Sequence, residues 1–400
     1  MLLVKSFFAI LLVAPMFGSD AVLPKSVDLT VHEWGTFTSV AGESGAPEPW
    51  TSLAAPSDLP CFVYHLGNQC IKCALPAKPP TTATTSTATT VRMETPVLYF
   101  YAPQKVTLSV RVDFPQGWIT EWYPQTSRVR PEVTMGTELP PLGGGHIEWN
   151  QITLDPGLQP ALPAGQGASP YYAARATDST PIRVGGQSEK FIFYRGIANF
   201  PVPLWAKTAG ENAIELSNKG DHTLPLAIIF ENRGGRIGYH ITRELDGAVS
   251  IPLPDLTASL GSLKLDMSKA LVDRGLYPKE AQAMLETWGD SWFEEGLRVF
   301  YLMPKPNVDT VLPLALDPSP AETRRVFVGR VEVLSPYRRM ELQNALKNGD
   351  TTALARYGRF LEPFAERISG GLPTNPATTA FFKARVDEAR RQAAAPSCVR

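Results

Sequence analysis

Gly275 to Pro304 reads G-L-Y-P-K-E-A-Q-A-M-L-E-T-W-G-D-S-W-F-E-E-G-L-R-V-F-Y-L-M-P, and its pattern switches from a helical period to a strand within one turn. Pro278 suits a first helical turn, where its missing N–H has no partner to lose. Ala281, Met284, Leu285 and Trp288 recur at i, i+3, i+4 and i+7, one face of a helix, with Lys279, Gln282, Glu286 and Asp290 on the other side. Gly289 predicts the helix end near Trp288. Leu297 to Met303 is then apolar apart from Arg298, the composition of a central strand. A helix handing over to a buried strand makes this part of the chain α+β.

The turn between them gathers candidate catalytic residues Asp290, Glu294 and Glu295 beside candidate binding residues Trp288, Trp292 and Arg298. In one reading the acids form the acid/base pair of a sugar-cleaving site, which needs two carboxyl groups facing one cleft about 5–10 Å apart. In the other the tryptophans are core, and Arg298 is a buried charge paired with one of the acids.

Upstream, the chain reads as strands. Asp28 to Val40 alternates, with Leu29, Val31, Glu33, Gly35 and Phe37 on one face and Thr30, His32, Trp34, Thr36 and Thr38 on the other. Glu33 on the apolar face and Trp34 beside it are further binding candidates. A strand points His32 and Glu33 to opposite faces, so the pair cannot jointly grip one ion. Val91 to Tyr101 and Lys105 to Phe114 are expected to form a hairpin, continued by Trp118 to Tyr123. Tyr171 to Arg175 is expected as a loop. Strands are expected again at Lys190–Ile197, Ala213–Ser217, Thr223–Asn232 and Arg236–Leu245. The fold class that follows is mainly β, a β-sandwich-like region over 22–254 packed against an α+β region over 255–400.

Downstream, Leu260 to Arg274 reads as a helix closed by Gly275. Val308 to Leu316 and Arg325 to Leu334 read as strands, the second placing Arg330 and Glu332 on one face as an ion pair. Ser335-Pro336 opens a helix that Gly349 closes. Thr351 to Ile368 carries a single apolar helical stripe, and Asn375-Pro376 caps a last helix.

Five stretches, H-E-W-G-T-F-T-S, R-M-E-T-P-V-L-Y-F-Y, T-E-W-Y-P, E-K-F-I-F-Y-R-G and W-G-D-S-W-F-E-E-G, resemble a set shared by a family of uncharacterised exported bacterial proteins. The resemblance covers most of the mature chain. It implies export and a common fold, and carries no activity.

Export is also read from the N-terminus itself. Lys5, the apolar run Phe7 to Val13 and Ser19-Asp20-Ala21 make residues 1–21 a signal peptide, with the mature chain starting near Val22. The expected location is secreted or periplasmic, and no later stretch is long enough to span a bilayer. In such a chain Cys61, Cys70, Cys73 and Cys398 are expected as disulfides. Cys61, His65, Cys70 and Cys73 form one alternative, a Cys₃His zinc site, and unpaired thiols are the other. Residues 74–90 collapse to Ala, Pro and Thr, and are expected to be a flexible loop.

The 400 residues carry a formal net charge of −1, which argues against nucleic acid as a partner. The 37 prolines point to loops and β-edges rather than a helical bundle. No G-x-S-x-G, S-x-x-K or Walker signature is present, and no cofactor is expected. The leading expectation is a non-catalytic envelope or extracellular module binding a glycan, peptide or protein partner. The alternatives are a carbohydrate-polymer hydrolase, with Glu294 or Glu295 as acid and Asp290 as base or nucleophile, and a metal-dependent enzyme using His32 and Glu33.

Overall fold

Strand β1 (Val27–Ala41) is buried almost throughout, and every layer of the molecule is built on it. The computed structural model describes residues 26–52, 59–66, 89–133, 140–165, 167–369 and 375–384. Residues 1–21, expected as a signal peptide, Cys70, Cys73, Cys398 and nearly all of the Thr/Pro/Ala-rich stretch lie outside these residues. Parallel to β1 runs β19 (Pro320–Val333), and antiparallel to it runs β4 (Val91–Tyr101). The rest of this ten-stranded sheet comprises β2 (Pro47–Glu48), β3 (Tyr64–His65), β6 (Gly117–Tyr123), β11 (Ile192–Ala198), β14 (Leu224–Arg233), β15 (Arg236–Leu245) and β17 (Gly296–Met303). Its order is β15-β14-β17-β19-β1-β4-β11-β6-β3, with β2 paired to β1.

A six-stranded sheet holds β5 (Val106–Phe114), β7 (Arg128–Arg130), β8 (Gly145–Leu154), β9 (Ile182–Val184), β10 (Gln187–Glu189) and β18 (Leu314–Asp317). A three-stranded sheet holds β12 (Leu204–Ala209), β13 (Ala213–Asn218) and β16 (Ala248–Pro252). Both pack on one face of the main sheet, where Val31, Phe37, Val110, Trp149 and Leu216 share one core. The mainly β class, sheet on sheet with helices toward the C-terminus, is thus the observed one.

The other face of the main sheet is covered by helices α1 (Leu260–Asp273) and α2 (Pro278–Thr287), over a second core that includes Trp34, Met284, Trp288 and Trp292. The two faces of β1 divide as the alternation predicts, Val31 and Phe37 to the first core and Trp34 to the second. Ser259 caps α1 by accepting from Ser262 N–H. Gly275 follows in a left-handed conformation (φ 106°), as the end of α1 requires. Short helix α3 (Gly289–Trp292) leads into β17, and α4 (Lys305–Val311) leads into β18.

A third apolar cluster belongs to the C-terminal helices α5 (Pro336–Asn348), α6 (Thr351–Ala355) and α7 (Leu361–Ser369), with a 3-10 turn at Gly358–Phe360. Among the described residues, Val40, Trp50 and Leu334 join it from the strand-bearing body.

Four expectations change. Strands β4 and β5 do not pair as a hairpin; they belong to different sheets, because β4 is buried on both faces while β5 alternates wet and dry. Residues 308–316 are the end of a helix plus a short strand, since a turn of helix satisfies the backbone after Pro304 and Pro306. Residues 170–175 form a 3-10 helix capped by Ser169. Residues 351–368 are broken into three segments at Gly358 (φ 51°). Strands from both sides of residue 254 share the main sheet, with β17 and β19 lying between β14 and β1. No described helix is long and apolar enough to cross a membrane.

Candidate functional site

The turn from Trp288 to Arg298 is organised by its arginine. Arg298 is fully buried and donates from Nη1 to the carbonyls of Trp292 (2.6 Å) and Glu294 (2.7 Å), and from Nη2 to that of Glu295 (3.1 Å). These are carbonyls that α3 and the turn leave without helical partners. Gly296, at φ 136°, fits because a Cβ there would lie 2.9 Å from Arg298 Nη2. The remaining donors of Arg298 grip Glu332 in a bidentate pair, Nε to Oε2 at 3.1 Å and Nη2 to Oε1 at 2.9 Å.

From that pair a belt of charge runs across the main sheet. Glu332 also accepts from Arg330 (Nη2 to Oε2, 2.9 Å), and Arg330 reaches Glu294 at 2.8 Å. Thr38, beside Arg330 on β1, donates to Glu94 at 2.9 Å. Glu94 pairs with Arg92 on its own strand (3.4 Å) and with Arg359 from the C-terminal 3-10 turn. Arg195 of β11 lies opposite Glu121 of β6 at the far end. Each of the five stretches on which the resemblance rests reaches into or abuts this belt: Thr38, Arg92 with Glu94, Glu121, Arg195, and the Glu294-Glu295 turn.

Burial alone would raise the carboxyl groups of Glu94 and Glu332. Arg359, Arg92 and Arg330 around the first, and Arg298 and Arg330 around the second, outweigh burial and hold both below the usual carboxylate range. Burial, then the like charge of Arg195, lowers Arg92; burial lowers Arg298 against the pull of Glu332. Burial would also lower Arg330, but Glu332, Glu294 and Glu94 together raise it.

The acids singled out in the turn are placed differently from a paired acid/base site. Glu294 is held by Arg330, Glu295 lies 3.7 Å from Arg338 and 3.9 Å from Arg356, and Asp290 is exposed on α3. Glu294, Glu295, Arg338, Arg356 and Tyr357 line a cleft with about 10 Å³ of space for water, room for a single molecule. Trp288 and Trp292 stack at 6.4 Å between centroids and are core residues, as is Trp34, so none offers a platform to solvent.

Glu33 is a satisfied internal carboxylate, accepting from Tyr194 Oη and from Arg325 Nε, while Arg325 Nη1 continues to Asp309 at 2.9 Å. The acid that reaches His32 is not Glu33 but Glu280, 2.8 Å from Nδ1. Glu280 is itself buried and also accepts from Tyr101 Oη (2.7 Å) and Tyr277 N–H (2.7 Å), anchoring the start of α2 to the sheet. Among the described residues no three His, Cys, Asp or Glu groups gather as a metal site. His65 sits on β3 opposite Glu121.

Sequence reading found Arg298, Arg330 and Glu332 but missed Arg92, Glu94, Arg195 and Glu121. Their signal was available, since charges stand inside otherwise apolar strands at R-M-E-T-P-V and F-I-F-Y-R-G.

No family model and no curated protein matches this sequence. Among solved structures, the Fcho1 Mu homology domain of Danio rerio with bound Eps15 peptide is similar at a TM-score of 0.29 and 7% identity, over 78% of this chain and 98% of that one. A likeness at that level carries no statement about what this chain does.

Proposed function

We propose that the chain is an exported, non-catalytic binding module that takes an extended protein or peptide segment along the free edge of strand β15. The carrying observation is the edge itself. β15 ends the ten-stranded sheet, and its outer side is bridged only at Ile237, by Ala258, among the described residues. Residues 239–244, Y-H-I-T-R-E, are half-buried or exposed, with His240, Arg243 and Glu244 turned to solvent. An edge with unpaired N–H and C=O groups recognises an added strand through its backbone, and alternate side chains supply selectivity. The burial of Trp34, Trp288 and Trp292 favours a peptide over a glycan, because sugar stacking needs an accessible ring face.

Selection from a displayed library of random peptides tests the reading. Enriched peptides should protect the amides of 239–244 from hydrogen exchange, and N-methylation at alternate peptide positions should abolish binding. Failure to enrich any sequence, or protection confined to another part of the molecule, refutes it. Binding on a glycan array would instead revive the sugar version.

A further inference from the structure

The belt holds more buried positive charge than negative. Leaving aside Arg195 and Glu121, Arg92, Arg298 and Arg330 are all at least nine-tenths buried, and among the described residues of the belt Glu94 and Glu332 alone oppose them at the same depth. Arg195 and Glu121 add one charge of each sign at one end, and the less buried Arg359 and Glu294 add one of each at the other. A buried guanidinium without a full counter-charge is costly, and buried N–H groups ordinarily find an acceptor. Yet Arg330 Nη1 and Trp50 Nε1 make no hydrogen bond, nor does Arg92 Nε, although it lies near Glu94.

The ring of Phe360 links Arg330 and Trp50. It lies 5.0 Å from the Arg330 guanidinium, 5.0 Å from that of Arg359 and 5.7 Å from Trp50. An aromatic face carries the negative end of a quadrupole, so Phe360 sits where an anion would be favoured and supplies a weak version of it. Phe360 also belongs to a separable unit. The helices around it have their own apolar cluster, which Val40, Trp50 and Leu334 of the body join, and their other contacts to the body run through arginines: Arg339 to Glu43, Arg338 and Arg356 to Glu295, Arg359 to Glu94, Arg367 to Glu48. Polar contacts of this kind permit movement of one packed unit against another.

We propose that the space filled by Phe360 is an oxyanion site, which a phosphate, sulfate or carboxylate group enters when the Phe360 ring leaves it. Arg330 Nη1, Arg359 and Trp50 Nε1 are its donors, and guanidinium forks suit such oxygens. The site is independent of the β15 edge, so a peptide result there leaves it untouched, and the reverse holds too.

Phe360→Ala removes the plug and keeps every charge. Calorimetric titration with inorganic phosphate, sulfate and acetate at matched ionic strength should show saturable binding of at least one of them about tenfold tighter in Phe360→Ala than in the unaltered chain, a difference of about 1.4 kcal/mol. Adding Arg359→Gln to that variant should take back about the same factor. Sulfate stabilises proteins generally by exclusion, so the reading is the difference between variants rather than any rise in Tm. If Phe360→Ala does not fold, Phe360→Leu serves, with a smaller opening. Equal affinity in the unaltered and opened chains, no binding in either, or binding indifferent to Arg359, overturns the proposal.

Discussion

At the scale of single residues, Glu94 and Gly329 carry the sharpest consequences. Glu94→Gln leaves Arg92 buried beside a neutral amide and strips Arg359 of its partner, and a broken buried pair costs about 3–5 kcal/mol. Urea denaturation should report that loss with an unchanged slope. Gly329 lies under the Tyr301 ring, where any Cβ would be driven into the aromatic atoms, so Gly329→Ala should cost about 1–3 kcal/mol by overpacking. Acid should act through the same belt. Glu94 and Glu332 have folded values below their ordinary 4.5, so they bind fewer protons folded than unfolded. Their contribution is complete above that value and is lost as pH falls through the folded ones. The urea midpoint should therefore drop on acidification below about pH 4.5, and Glu332→Gln should flatten the drop. A midpoint insensitive to acid would contradict the charged state assigned to both groups. The Arg330–Glu332 pair was legible in the sequence because residues two apart on a strand share a face. The Glu94–Arg359 pair was not, because 265 positions separate its members and only the docked helices bring them together.

Elements were legible where a local signal decided them. Ser335-Pro336 and Gly349 bound α5 because a hydroxyl cap, a proline and a left-handed glycine each act within one turn. They were misread where tertiary placement decides. Strands β4 and β5 look like a hairpin by spacing, but pairing partners are chosen by which faces can be buried, and β4 needs neighbours on both edges of a covered sheet. The C-terminal helices illustrate a second kind of dependence. Their arginine contacts include exposed pairs such as Arg339–Glu43, worth little in water and weakened by salt. Burial raises the Glu48 carboxyl despite Arg367, so that contact too is weaker than its geometry suggests. Raising ionic strength should therefore speed hydrogen exchange in residues 351–368 while β1 and β19 stay protected. Uniform exchange across both regions would show that the helices are not a separate unit. Trp50→Ala should enhance the effect, since Trp50 is one of three body residues in that apolar cluster.

For the whole molecule, composition and periodicity gave the class but could not give the strand order, because neighbours in a sheet need not be neighbours in the chain. The order matters for how the protein comes apart. β17 and β19 stand between β14 and β1, so residues 255–400 supply the centre of a sheet whose two flanks come from residues 22–254. A chain cut at 254 would leave β14-β15 and the β1-to-β3 group with no shared partner, and would expose edges of β14 and β1 that are buried along most of their length. Neither piece should fold alone, and the first should aggregate. The two produced together should recover the fold only when both are present. Calorimetry of the intact chain should show one cooperative transition for the sheets, with calorimetric and van't Hoff enthalpies equal once the C-terminal helices have been loosened by salt. A soluble, cooperatively melting 22–254 fragment would mean that the main sheet tolerates the loss of its two central strands, and the layered arrangement on which the belt and the β15 edge depend would have to be redrawn.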